Sequence, residues 1–226
     1  MIVVLVIVVF AAVLFGPQIW AKSTLRTHAQ DRPDLPGTGG ELARHLLDQL
    51  ALQDVGVEVS DRGDHYDPID KMVRLSPDNH DGRSITAVAV AAHEVGHAIQ
   101  DRDRYAPLAT RHKLVRWAAI TDRVGSMALF GLSMLGGMVV SPRLLLLGAV
   151  AVVLMGLVSV IVHLVTLPVE FDASFGRAMP ILDRGGYLSS ADIPAAKRIL
   201  TACAFTYVSA ALIGMLNLFR FIRYLR

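Results

Sequence analysis

Residues 84–102 read SITAVAVAAHEVGHAIQDR, and this stretch decides how the other segments must be arranged. Within it, His93, Glu94 and His97 form an H-E-x-x-H motif. Residues four apart lie on the same face of an α-helix, so the two imidazoles would project together and could bind a Zn²⁺ ion. Glu94 would lie one position round the helix, within reach of a metal-activated water as its general base. The motif therefore predicts a zinc site built on a helix.

The residues around the motif favour that helix. No Gly or Pro occurs between Ser84 and Val95, and Ser84 is suited to cap the amino terminus. Apolar side chains recur at helical spacing and would form one buried stripe: Ile85, Val88, Ala92, Val95 and Ile99. Gly96 costs about 0.5–1 kcal/mol relative to alanine in a helix interior. We expect this glycine to let a second backbone segment approach the metal-binding helix closely.

The composition is that of a membrane protein. Hydrophobic residues make up 53% of the 226-residue chain, and the mean hydropathy is +0.47, which is too apolar for an ordinary soluble domain. The net charge is only +2 and no basic stripe is interleaved with aromatic residues, so we expect no nucleic-acid partner. The single cysteine, Cys203, excludes an internal disulfide and a cysteine-based zinc site. Any zinc ligands must therefore be His, Asp or Glu.

Four apolar runs have the length of membrane-spanning helices. They cover residues 2–20, 124–140, 144–168 and 200–219. The first run lacks a basic amino-terminal region and a small-residue cleavage site, which favours a retained anchor over a cleaved signal peptide. A tight turn at 141–143 would join the second and third runs into a hairpin. The sequence predicts a mostly α integral membrane protein with about four transmembrane helices and a small α+β zinc-metalloprotease domain that carries the H-E-x-x-H helix.

The same pattern divides the chain into five segments. We predict a transmembrane anchor at 1–21, an α+β catalytic region at 22–117, a transmembrane hairpin at 124–168, a helical segment at 169–199 that supplies the third zinc ligand, and a hydrophobic helix with a basic tail at 200–226.

The catalytic region contains helix, strand and turn signals. An amphipathic helix would start at Thr38, and strands are predicted at 55–59 and 72–75 with a turn at 63–68 between them. The strand before the zinc helix has two interpretations. It could belong to a plain structural hairpin, or its free edge could bind an extended peptide substrate through main-chain hydrogen bonds.

A third zinc ligand is needed because two histidines alone bind the ion weakly. Glu170, in the segment LPVEFDAS, is the best candidate, although it could also be a solvated carboxylate at a helix end. Two predicted spans separate Glu170 from His93 and His97 in the sequence. Crossing the membrane twice would return Glu170 to the same membrane face as the two histidines. Ser174 would share a helical face with Glu170 and could accept the ring N–H of a ligand histidine. Asp172 would point nearly to the opposite side.

Other polar residues have weaker signals. His65 and Tyr66 could hydrogen-bond the oxyanion of a tetrahedral intermediate, or they could stabilise the turn in which they lie. His163 lies inside an apolar run, where a packed histidine is expected rather than a ligand. The remaining histidines show no ligand spacing and are expected at the surface or in packing contacts: His28, His45, His80 and His112.

Four segments together resemble the YugP-type membrane zinc metallopeptidases of bacteria. They are DHYDP at 64–68, VRLS at 73–76, RSITAVAVAAHEVGHAIQ at 83–100 and LPVEFDAS at 167–174, and the resemblance extends over nearly the whole chain. More distantly, the chain is similar to HtpX-like and CAAX-prenyl-type membrane proteases, which have the gluzincin arrangement.

The resemblance implies specific roles for four residues of this chain. It implies one Zn²⁺ ion bound by His93, His97 and Glu170, with Glu94 as general base. The HtpX-like pattern places an aspartate four residues after the ligand glutamate, whereas this chain has Ser174 there.

These features predict a membrane-anchored, zinc-dependent endopeptidase that hydrolyses peptide bonds by a metal-activated water with a glutamate general base. Its partners would be peptide or protein substrates, membrane proteins among them, and the lipid bilayer; no feature indicates an oligomeric state. One alternative is a site-2-type intramembrane zinc protease that uses Asp183 of the segment LDRG as a ligand. Another is a non-enzymatic membrane scaffold with a structural zinc, which would need a fourth protein ligand.

Basic residues predict the membrane orientation. Lysine and arginine are concentrated at 22–32 and 111–123, so the positive-inside rule places the active site on the cytoplasmic side of the bacterial inner membrane. Four spans would put the carboxyl terminus outside, yet the tail at 220–226 is also basic. The last run could therefore be tilted or re-entrant.

Overall fold

The computed structural model describes residues 2–136 and 142–224, most of which are helical. The α-helices are α1 Ile2–Thr27, α2 Gly39–Gln49, α3 Pro77–His80, α4 Ile85–Arg102, α5 Ala106–Gly136, α6 Pro142–Phe171, α7 Met179–Gly185 and α8 Ile193–Tyr224. A π-helical segment, Asp172–Ala178, continues α6 into α7. The strands are β1 Gly56–Val59, β2 His65–Asp67 and β3 Met72–Leu75. The mostly helical character and the small sheet agree with the predicted fold class.

Helix α4 contains the H-E-x-x-H residues and packs against α2, α8 and the π-helical segment. Every residue from Ile85 to Gln100 is buried. Ser84 caps the helix as predicted, because its hydroxyl accepts a hydrogen bond from the amide of Ala87 at 3.0 Å. Helix α2 packs against α4 and begins with a capping box formed by Thr38 and Glu41.

The sheet differs from the prediction in its number of strands, in the position of the turn and in the pairing of β3. Its strand order is β1-β3-β2, with β1 parallel and β2 antiparallel to β3. The predicted turn at 63–68 was wrong for His65–Asp67, which form β2. The chain reverses before this strand, at 60–64, and again after Asp67, whose carboxylate accepts hydrogen bonds from the amides of Ile69 and Asp70. Strand β3 is central and both its edges are paired, so the hypothesis that its free edge binds a peptide was wrong. The outer edge of β2 pairs with no other strand of the described chain.

Gly96 lies where α4 meets the π-helical segment. A Cβ atom at this position would be 2.8 Å from the carbonyl oxygen of Ala173, closer than real Cβ contacts allow. The predicted close approach of a second backbone is therefore confirmed. It brings the segment after α6 directly onto the helix that carries the two histidines.

We expect Gly96→Ala to lower the free energy of unfolding. Alanine gains about 0.5–1 kcal/mol of helix propensity, but the clash with a backbone oxygen should cost about 1–3 kcal/mol and decide the sign. Thermal unfolding of the detergent-solubilised protein measures the change. Gly16→Ala is the control, since a Cβ atom there would meet nothing within 4 Å. A Gly96→Ala protein as stable as the Gly16→Ala protein would contradict the close approach.

Two helical stretches of the described chain are long and apolar enough to cross a membrane, namely Gly148–Gly185 and Ile193–Leu216. Along α6, large apolar side chains are exposed on the outside of the molecule: Leu146, Val150, Leu154, Leu157, Ile161 and Leu164. A surface of this kind is typical of contact with lipid. These stretches correspond to the third and fourth predicted spans.

The other two predicted spans remain predictions. The run at 2–20 lies on α1 and the run at 124–140 begins on α5. Residues 137–140, with Ser141 of the predicted turn, lie outside the described residues, as do the last two residues of the basic tail. Helix α5 packs on α6, and α6 and α1 both pack on α8.

Candidate metal centre

His93, His97 and Glu170 converge on one buried point. The Nε2 atom of His93 is 3.2 Å from Oε2 of Glu170, and the Nε2 atom of His97 is 3.6 Å from the same oxygen. One potential ligand atom from each side chain lies within 4.8 Å of the others. Helix α4 supplies the two histidines one turn apart, and the end of α6 supplies the glutamate. The structure thus brings together the three residues that the sequence singled out.

This donor set is suited to one zinc ion. Imidazole nitrogen and carboxylate oxygen are both zinc ligands, and three protein ligands leave a coordination position open, as in catalytic sites. The two imidazoles meet edge to face, with ring centroids 4.8 Å apart and an interplanar angle of 78°. Within residues 2–136 and 142–224, no fourth His, Cys, Asp or Glu belongs to the group. The three side chains could therefore hold a single ion and leave room for a reactant.

Ser174 holds the ring of His93. Its hydroxyl oxygen lies 3.1 Å from Nδ1 of His93 and 3.3 Å from the carbonyl oxygen of Leu200. A carbonyl can only accept, so the hydroxyl donates to Leu200 and accepts the N–H of the imidazole. The Nε2 lone pair of His93 is then free to face the centre. Sequence reasoning predicted this contact, and the completely buried serine makes it from the π-helical segment.

Gln100 holds the ring of His97, and sequence reasoning missed it. The side-chain oxygen of Gln100 is 3.0 Å from Nδ1 of His97. Its amide nitrogen donates to the carbonyl of Val169 and to Asp172, each at 2.8 Å. The sequence did carry one signal for this contact: Gln100 is a polar residue about one helical turn after His97, in a helix that is otherwise mostly apolar. Asp172 contacts neither imidazole, as expected from its position, but it reaches the site through Gln100.

Arg111 holds the second oxygen of the glutamate. Its Nη1 atom donates to Oε1 of Glu170 at 2.9 Å, while Oε2 faces the histidines. The guanidinium also lies over the ring of Tyr207 on α8, 5.7 Å from the centroid. Sequence reasoning missed this role, because the contact joins the start of α5 to the end of α6 and no local pattern indicates it. Glu170 is consequently fixed in orientation from both sides.

Glu94 lies in the same cavity as the three convergent side chains. The cavity has a volume of about 280 Å³ and is also lined by residues of the sheet, α5 and α8. Glu94 is buried, and this burial raises the pKa of its carboxyl group to about 7. A carboxyl group with a pKa near neutrality can both accept and return a proton at physiological pH. Strongly shifted groups in a cleft are frequent at functional sites.

Three residues with predicted alternative roles are also located. The hydroxyl of Tyr66 donates to Asp101 at 2.7 Å, and His65 donates from Nδ1 to the carbonyl of Gly63 at 3.0 Å. Both line the cavity. The His65 bond lies within the predicted turn segment, whereas the Tyr66 bond ties β2 to the end of α4 rather than stabilising the turn. Asp183 is exposed on α7 and does not belong to the ligand group, which removes the basis for the site-2-type arrangement.

The remaining histidines do not join the ligand group of the described chain. His45 packs edge to face on Tyr187, and His80 contacts Asp81. His112 was expected at the surface or in packing contacts, and it lines the cavity from α5 beside Arg111.

Comparison with known proteins agrees with this geometry. Residues 2–226 match a family model described as "putative neutral zinc metallopeptidase". The chain is also 38% identical over 215 residues to a protein of Bacillus subtilis (strain 168) described as "putative membrane protease YugP", with 92% of this chain and 89% of the relative covered. No solved structure matches the chain. The relative's description and the two apolar helices both support membrane association. The chain therefore belongs to the neutral zinc metallopeptidase family, as its motifs predicted.

Proposed function

We propose that the chain is a membrane-anchored, zinc-dependent endopeptidase whose ion is bound by His93, His97 and Glu170. The observation that carries the proposal is the convergence of two imidazole Nε2 atoms on one buried carboxylate oxygen, within a cavity that also contains Glu94. When bound, Zn²⁺ supplies Lewis acidity toward the scissile carbonyl and makes water a better nucleophile near neutral pH.

Glu94 is the proposed general base. Its carboxylate accepts the proton of the attacking water and then returns it to the leaving amine, so the residue is unchanged after one turnover. Its burial supports this assignment, because the raised pKa brings its proton affinity close to the working pH. Residues of β2, α5 and α8 line the cavity around Glu94.

Ser174, Gln100 and Arg111 prepare the three ligands. The first two accept the Nδ1–H groups of the histidines, and Arg111 donates to the glutamate oxygen that does not face the centre. Arg111 also offsets part of the negative charge that Glu94 and Glu170 bring into the buried site. Such outer contacts orient metal ligands and raise their basicity.

The outer edge of β2 is the proposed place for the substrate backbone. His65 and Tyr66 of this strand line the cavity, so a peptide added beside β2 would pass the metal ligands. This arrangement favours cleavage within an extended segment over removal of a single terminal residue. The substrates are proposed to be peptides or proteins, including membrane proteins.

The proposed location of the site is the cytoplasmic face of the bacterial inner membrane. Leu25 near the end of α1 and Arg111 near the start of α5 both line the cavity. Leu25 lies within the basic stretch 22–32, just after the first predicted span. Arg111 lies within the basic stretch 111–123, just before the second predicted span. The five-segment organisation and the four spans remain part of this proposal. A scaffold with a structural zinc is less well supported, since the described ligand group has three members.

Internal cleavage of end-blocked peptides tests the proposed activity. We expect the purified full-length protein to cut peptides that carry an acetylated amino terminus and an amidated carboxyl terminus, as measured by mass spectrometry of the products. Treatment with a zinc chelator should abolish cleavage, and added Zn²⁺ should restore it, because the proposed mechanism depends on a water activated by the metal. Cleavage that persists after complete removal of the metal, or attack only on unblocked termini, would contradict the proposal.

A further inference from the structure

A chain of hydrogen bonds leads from His97 to the surface of the protein. Nδ1 of His97 contacts Oε1 of Gln100, and Nε2 of Gln100 contacts Oδ2 of Asp172. Asp172 accepts a further bond from Arg177, which also pairs with Asp103. Gln100 has no exposed surface, so its amide cannot exchange these partners for water.

The partners of Gln100 determine which way its amide group faces. The carbonyl of Val169 and the carboxylate of Asp172 can only accept hydrogen bonds, so both require the NH₂ side of the amide. The oxygen side must then face His97. Because that oxygen can only accept, the proton of a neutral His97 ring is held on Nδ1 and the lone pair lies on Nε2. Nε2 is the atom that faces Glu170.

We propose that Gln100 and Asp172 are positioning residues that select the zinc-binding ring tautomer of His97. Asp172 orients the amide of Gln100, and the amide oxygen keeps the ring proton on Nδ1. The inference rests on the proposed role of His97 as a zinc ligand. The proposal gives a function to Gln100 and Asp172, although neither residue lines the cavity.

The two residues should contribute unequally. Without Gln100, no other residue of this hydrogen-bond network accepts the Nδ1 proton of His97. The His97 ring can then adopt the tautomer that places a proton on Nε2. Without Asp172, the carbonyl of Val169 still accepts from Gln100 and opposes rotation of the amide. Loss of Asp172 should therefore allow only a minor population of the rotated amide.

Zinc affinity of the full-length protein tests the proposal. Gln100→Met retains the volume of the side chain but removes both hydrogen-bonding groups, and we expect it to weaken zinc binding by about 10–100-fold in competition with a chromophoric chelator. Asp172→Ala should weaken it less, and the double variant should bind no more weakly than Gln100→Met, since Asp172 acts through the glutamine. Asp103→Asn is the control, because it removes the other partner of Arg177 without touching Gln100.

The ring of His97 provides a readout that does not depend on zinc. In the metal-free Glu170→Ala protein, where no carboxylate oxygen faces Nε2, ¹⁵N chemical shifts of the imidazole should report the Nδ1–H tautomer, and adding Gln100→Met should introduce the Nε2–H tautomer. The proposal is overturned if Gln100→Met keeps its zinc affinity within about twofold, if its ring tautomer is unchanged, or if the two substitutions are additive. Unchanged zinc affinity in a His97→Ala protein would instead refute the ligand assignment, so the two failures are distinguishable.

Discussion

Glu94→Gln is expected to lower kcat for peptide hydrolysis by about 10²–10⁴-fold, the contribution usual for a general base. Glutamine has the same shape as glutamate, but its amide cannot accept the proton of the attacking water. The substitution replaces a buried carboxyl group by a neutral group of equal size, so the fold and the three convergent ligands should be retained. Initial rates on the end-blocked peptide and zinc content per chain are the measurements.

The control for this prediction uses the same chemical change elsewhere. Glu41→Gln replaces the capping-box glutamate of α2, and glutamine can also fill that position. We expect this protein to keep both its activity and its zinc. Equal activity of the Glu94→Gln protein and the wild type would refute the base assignment. Parallel loss of zinc and activity in Glu94→Gln would show that Glu94 supports the metal site rather than the proton transfer.

Local features of the fold were predictable because they depend on neighbouring residues. The cap at Ser84, the helix around the two histidines and the capping box at Thr38 each follow from a residue and its partners within one turn. The turn at 63–68 was misplaced because its glycine and aspartates resemble one reversal, whereas the chain reverses twice, at 60–64 before β2 and at 68–71 after Asp67. Pairing with β3 then converts the preceding residues into a strand.

The site was predictable only as far as spacing and topology reach. The histidine pair follows from the four-residue spacing, and Glu170 from its position directly after the third predicted span, a choice that the even number of intervening spans supports. Gln100 and Arg111 could not be found in this way, since each is recognised only by a partner on another helix. Tertiary contacts between distant segments leave no periodic signal in one sequence.

Because the proposed ligands are buried, we expect the zinc ion to stabilise the fold as well as to serve the proposed reaction. His93, His97 and Glu170 are nearly inaccessible. Ser174, Gln100 and Arg111 bind their outward-facing atoms, while the two Nε2 atoms and Oε2 of Glu170 face one another at the centre. A ligand that binds only the folded state stabilises it by about 2.7 kcal/mol at a concentration one hundred times its dissociation constant. Zinc should therefore raise the thermal unfolding midpoint of the wild-type protein.

Glu170→Ala is expected to remove that stabilisation together with the activity. The substitution deletes the only carboxylate of the ligand group and leaves Arg111 without its partner in the site. Zinc affinity should fall by more than the 10–100-fold typical of outer contacts, roughly beyond 100-fold. The unfolding midpoint should no longer respond to zinc at concentrations that shift the wild type. Calorimetry or scanning fluorimetry with and without the ion measures this response.

Asp183→Ala makes the test of Glu170 selective. Asp183 is also a carboxylate that follows α6 in the chain, but it is exposed on α7 and lies outside the ligand group. We expect the Asp183→Ala protein to retain zinc, activity and the zinc-dependent shift in unfolding. The opposite pattern, with zinc lost in Asp183→Ala and kept in Glu170→Ala, would assign the third ligand to the segment after the π-helix. That result would require a site-2-type arrangement and would separate His93 and His97 from the carboxylate that they face in this structure.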